Sequence, residues 1–149
     1  MGVAKGLFRM SAVLWVIWGI VHIGAGVMTI VQPTAEAIVG IADAVDPKLI
    51  SSVEYHGSVG ALLNQHGWNL AWIGLTTLLS AIPIWRGQRW AVYLAALVGG
   101  LADLGYFIFM DLGGYVLLPG QLMTVVSGTA IILSFVALKQ EGQLHVKTA

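Results

Sequence analysis

Residues 7–31 read LFRMSAVLWVIWGIVHIGAGVMTIV. Arg9 is the only charge in this run, and it stands near the start. About 20 apolar residues suffice to cross the hydrocarbon core as a helix, the form in which a single segment bonds all its own backbone groups. Lys5 and Arg9 before the run, and Gly24-Ala25-Gly26 inside it, imitate a signal peptide. The run is too long for that role and carries Trp15, Trp18 and His22. It therefore reads as a membrane span, closed by Pro33.

Three more runs of this kind follow, over residues 68–85, 90–110 and 119–138. An alternative start of the second is Ser58, and Pro119 suits the first turn of the fourth. Trp68, Trp85, Trp90 and Tyr115 mark span ends, where amphipathic rings settle at the membrane interface. Composition agrees: 58% of the 149 residues are hydrophobic and only 9% charged. Soluble domains run at about 25% charged. Mean hydropathy is +0.86. The absence of cysteine removes disulfides, thiolate nucleophiles and Cys-bound metals. Seven basic residues balance seven acidic ones with no basic stripe, which leaves no footprint for nucleic acid. The fold expected is all-α: one antiparallel four-helix membrane bundle spanning residues 1–149.

Lys5, Arg9, Arg86, Arg89, Lys139 and Lys147 fall at one end of this topology, and Lys48 alone at the other. By the positive-inside rule both termini face the cytoplasm of a bacterial inner membrane. The first loop, residues 32–67, is then extracytoplasmic and too long for a plain connection. Thr34 as a cap with Glu36 in the first turn, and Asp46 before Pro47, predict two short interfacial helices. Gly57, Gly60 and Gly67 offer bends before the second span. Asp111 with Gly113 and Gly114 predicts a tight outer turn.

Polar residues inside spans are costly, so their placement carries information. Asp103 follows Gly100, Gly99, Ala96 and Ala95, small residues that let helices approach closely. It should point into the bundle, with Tyr106 one turn further on. Helical spacing groups Trp15, Trp18, Gly19, His22 and Gly26 on the first span, and His66, Asn69, Ile73, Thr76 and Ser80 on the second. On the fourth it groups Gln121, Thr124 and Gly128. At 1.5 Å per residue His22 and Asp103 differ in depth by only about 4 Å, so they pair if their helices adjoin. Asp103 would orient the imidazole and His22 would move a proton; the alternative is a hydrogen bond that locks packing. His66, Asn64, Asn69, Tyr106, Gln121 and Trp18 are candidates for holding a ligand, with Glu54, Tyr55 and His56 closing over it. His22 and His66 could instead carry haem, or His22, His66, Asp103 and Glu54 a metal ion. His145, in the tail, has no expected role.

Trp15-x-x-x-Gly19-x-x-His22, the Trp85-Arg86 turn, residues 65–72 and Ala102-Asp103-Leu104-Gly105-Tyr106 resemble the small bacterial four-span proteins called DoxX-like. That resemblance implies the same bundle and, for some such proteins, a place beside redox or stress-response systems. It transfers no catalytic residue and no cofactor. The expected partner is a membrane lipid or lipid-soluble small molecule. The main alternative is a non-catalytic subunit of a homo-oligomer or larger membrane complex, with Ala91, Ala95 and Gly99 docking another helix. The chain's lack of cysteine gives a clean test of orientation. In intact cells a membrane-impermeant maleimide should label Glu54→Cys, and should label Ala149→Cys only after lysis. The reverse pattern would invert the topology.

Overall fold

The computed structural model describes residues 2–147, with side chains over residues 2–142. His145 and Lys147 thus have side chains outside the described residues, as do Thr148 and Ala149 altogether. The elements are α1 (Gly2–Val31), α2 (Thr34–Ile41), α3 (Pro47–Ser51), α4 (Gly57–Trp85), α5 (Arg89–Tyr106, continued by a π-turn over Phe107–Asp111) and α6 (Leu118–Lys147). No strand occurs among the described residues. Four of the helices, α1, α4, α5 with its π-turn, and α6, are long and apolar enough to cross a membrane.

The expected architecture holds, with longer helices than the hydropathy runs. α4 starts at Gly57, beside the earlier of the two expected starts (Ser58 and residue 68), so Asn64, Gln65 and His66 are helical. Their polarity interrupts the apolar run without interrupting the backbone ladder. The first loop shortens accordingly, and Gly67 is no bend but a contact point inside a straight run of helix. The two short helices of the loop are present. Asp46 caps α3 by accepting the Lys48 N–H at 2.9 Å. Thr34 does not cap α2; it is the first helical residue, and Pro33 precedes it without a side-chain bond. The outer turn forms as expected, with Gly114 at φ +73°. At the opposite end Gly87 (φ +77°) closes α4: its N–H bonds to Ile84 O and the Gln88 N–H to Pro83 O. That paired pattern satisfies the last free carbonyls of the helix.

Around the bundle, α1 lies beside α4 and α6, and α5 lies beside α4 and α6. α1 and α5 therefore occupy opposite corners. The tightest seam joins α1 to α4. An added Cβ on Gly74 would stand 2.7 Å from Gly19 O, and one on Gly19 would stand 2.7 Å from Gly74 O. Gly26 and Gly67 repeat this contact two turns along, and the same antiparallel register brings buried Ala12 level with buried Ala81. Repeating small residues every second turn keeps the seam facing its partner as the helices wrap. The α1–α6 seam is polar: Ser11 Oγ donates to Ala130 O at 2.8 Å and lies 2.6 Å from Ser134 Oγ.

Trp15 and Trp18 fill the centre, 1% and 0% exposed. Trp15 packs against Gly99, where an added Cβ would lie 2.6 Å from its ring. The Ala91, Ala95, Gly99 ladder is thus buried inside the bundle and is not a free docking face. Gly74→Ala should lower stability by about 1–3 kcal/mol, because backbone blocks the new methyl. Gly128→Ala meets nothing within 4 Å and should stabilise by about 0.5–1 kcal/mol. Unfolding midpoints in one detergent check both; equal effects would refute the seam.

Candidate functional site

The end of the bundle away from the termini holds a cavity of about 290 Å³. Its walls are Val21, His22, Ala25, Met28 and Thr29 of α1 with Gln32 just beyond it, Leu70 and His66 of α4, Asp103 and Tyr106 of α5, and Pro119, Gly120 and Met123 of α6. Its roof is α2, through Ala37, Gly40 and Ile41, together with Asp43. Most of the lining is apolar, with the polar groups few and convergent, as in small-molecule sites.

The roof is α2, not Glu54, Tyr55 and His56. Glu54 is exposed, the Tyr55 hydroxyl donates to Ile50 O at 3.0 Å, and His56 caps α4 by accepting the Ser58 N–H. The loop between α5 and α6 clasps the roof. Leu117 N–H donates to Asp43 Oδ1 at 2.6 Å, and Ala44 N–H to Tyr115 O at 3.1 Å.

Trp18 is the hub below this roof. Its indole N–H crosses the bundle diagonal and donates to Asp103 Oδ2 at 2.7 Å. Its ring face stacks on the His22 imidazole, with centroids 3.5 Å apart and planes 17° from parallel. Its carbonyl oxygen faces His22 Nδ1 at 2.9 Å. A carbonyl only accepts, so Nδ1 carries a hydrogen and Nε2 is the free position of the neutral ring. Nε2 faces Asp103 Oδ1 at 3.7 Å, too long for a hydrogen bond but within ion-pair range. The His22 and Asp103 side chains keep 13% and 6% of their exposure, and both line the cavity. Depth reasoning put the two groups level, but they approach across the bundle diagonal and not between adjoining helices; Trp18 as their organiser was missed, since nothing in the sequence says which way an indole N–H points.

Of the other candidates, His66 and Tyr106 line the cavity. Four do not. Asn64 and Glu54 are exposed; Asn69 accepts from Trp72 Nε1 at 3.1 Å on the outer face of α4; Gln121 is exposed and makes a 3.4 Å bond to Val116 O. Helical spacing alone fails for Asn69 because α4 turns its glycine face to α1, which leaves Asn69 off the cavity. Gln32 and Asp43 line the cavity without a sequence signal to single them out. Glu54 lies apart from His22, His66 and Asp103, so the four-residue metal set does not assemble. No group of three or more metal-ligating side chains occurs among the described residues.

Asp111 sits at the end of the π-turn. Thr124 Oγ1 donates to its Oδ2 at 2.9 Å, and its buried Oδ1 has no partner.

No family model, curated protein or solved structure matches the chain. The chemical reading thus rests on the geometry alone. Trp18→Phe keeps the ring and removes the donor, so it should cost about 1.5–3 kcal/mol. Trp72→Phe, on the outer face, should cost less than about 0.5 kcal/mol. Chemical unfolding of the two variants checks this, and equal losses would remove Trp18 as the hub.

Proposed function

We propose that this is a bacterial inner-membrane protein, termini in the cytoplasm, that binds a lipid-soluble ligand under α2 and exchanges a proton with it through His22. Trp18 orients the imidazole, and Asp103, facing the same nitrogen, shares that proton. Tyr106 and His66 hold the polar end of the ligand. One observation carries the reading: the desolvated His22–Asp103 pair opens onto a cavity instead of packing against apolar side chains. An ionisable pair held inside a bundle is a functional candidate by default. Proton transfer to a ligand needs a base within hydrogen-bond reach, and Nε2 is the ring nitrogen turned to the Asp103 side of the cavity.

The geometry favours ligand work over a purely structural lock. The lock between α1 and α5 is the Trp18–Asp103 bond at 2.7 Å, which does not need His22. Size limits the ligand: 290 Å³ is near the lower end for small-molecule sites. A ring or head group fits, and a long tail must leave the cavity.

Native mass spectrometry of protein released from its host membranes tests this. Wild type should carry a discrete small-molecule adduct. Met123→Trp, which fills the cavity, should lose it. Asp103→Asn should keep it at equal or higher occupancy, because binding survives while turnover stops. A bare wild-type chain, or a larger assembly without adduct, would defeat the proposal and leave the polar cluster as packing.

A further inference from the structure

The cavity has a chemical polarity that narrows its ligand further, given the ligand reading above. Several donors near it are already spent. Thr29 Oγ1 donates to Ala25 O at 2.8 Å, His22 Nδ1 to Trp18 O, and the Trp18 indole N–H to Asp103. Acceptors remain beside the cavity in His22 Nε2, in Asp103 Oδ1 facing it at 3.7 Å, and in the second oxygen of Asp43, whose first is held by Leu117; the Tyr106 hydroxyl, the Gln32 amide and the His66 ring line it too and can donate, but none of them carries a fixed positive charge. Among the described residues no lysine or arginine lines it.

The charge layout of the whole chain points the same way. Glu36, Asp43, Asp46, Glu54, Asp103 and Asp111 belong to the roof half of the bundle, with Lys48 as its one basic residue. The basic residues otherwise gather with Glu141 at the termini end. A low-dielectric cleft lined by one sign of charge focuses that field on whatever enters. An anionic head group placed there would meet carboxylate without a cation to answer it, whereas a donor would satisfy groups that now face each other unpaired.

We infer that the cavity takes an amphiphile whose polar end donates hydrogen bonds and carries no negative charge. An alcohol and a protonated amine share that chemistry; a fatty acid and a lipid phosphate lack it.

Decanol, decylamine and decanoate, equal in chain length, separate the cases. Each is titrated into protein in zwitterionic nanodiscs at matched bilayer concentration, with the shift in melting temperature as readout. Decanol, decylamine or both should raise it saturably, and Gly40→Leu, filling the cavity from the roof, should remove the effect. Decanoate should give at least tenfold weaker stabilisation. Asp43→Asn keeps an acceptor for Leu117 while removing a charge. It should weaken decylamine three- to tenfold and leave decanol unchanged, which tells the amine from the alcohol without touching the buried pair. Decanoate binding as well as the other two would overturn this inference while leaving the ligand reading standing. No saturable effect from any probe, while the native protein still carries an adduct, would overturn it too. No probe effect and no native adduct would bring down both.

Discussion

The contact of α1 and α4 backbones at Gly19–Gly74 and Gly26–Gly67 sets the positions of the other parts. No hydrophobic force drives helices together inside lipid, because tails are as apolar as leucine. Association has to come from dispersion and from close polar contact of backbones, and both need the absence of side chains. Gly19 and Gly26 provide this on α1, and Gly67 and Gly74 on α4. With that face of α1 committed to α4, the adjacent face carrying Trp15, Trp18 and His22 turns inward. The site is a consequence of the seam: His22 looks into the bundle because its neighbour Gly19 is pressed to a backbone.

The second constraint is volume. Four helices packed at corners leave a central gap along the α1–α5 diagonal. Two indoles close it, Trp15 against Gly99 and Trp18 against Asp103, edge to face with each other at 5.7 Å. Small residues on α5 are therefore spent on accommodating rings from α1. The Trp18 N–H also solves an electrostatic problem, since a carboxylate in the bundle needs donors. Beyond the indoles, towards the roof, the His22 ring stacks on Trp18, and His22 and Tyr106 stand in the cavity wall. Packing stops there, and the cavity begins.

Much of this was legible in the sequence. Span number, the Asp46 cap and the outer turn at Gly114 follow from local rules, and local rules hold where one residue's backbone preference decides the outcome. The common depth of His22 and Asp103 was also legible, since helical rise is fixed. What escaped reading depends on which face a helix turns. Gly67 looked like a hinge because glycine serves hinges and close contacts alike. Asn69 and Gln121 shared spacing with real inward positions, yet a shift of a fraction of a turn puts them outside. The start of α4 stayed open between Ser58 and residue 68 because hydropathy falls at Asn64 while the helix continues: its backbone bonds itself regardless of side-chain polarity. The roof was misread because Glu54, Tyr55 and His56 look chemical, whereas Ala37, Gly40 and Ile41 do the covering with plain surfaces.

The 3.7 Å between His22 Nε2 and Asp103 Oδ1 supports the proposed working pair over a lock. A packing bond has no reason to remain at 3.7 Å when its partner bond, from Trp18 to the other carboxylate oxygen, closes to 2.7 Å. Trp18 fixes the carboxylate, and it fixes the imidazole separately through stacking and through its own carbonyl. Both groups are thus held by one residue of α1, and neither is held by the other. Nδ1 being occupied, the acceptor of the neutral ring faces the acceptor of the carboxylate, and only a shared proton or a donor from outside reconciles them. On the proposed reading, a hydroxyl or ammonium beneath α2 supplies the donor at this gap, which borders the cavity, and the indole holds the two groups at that spacing.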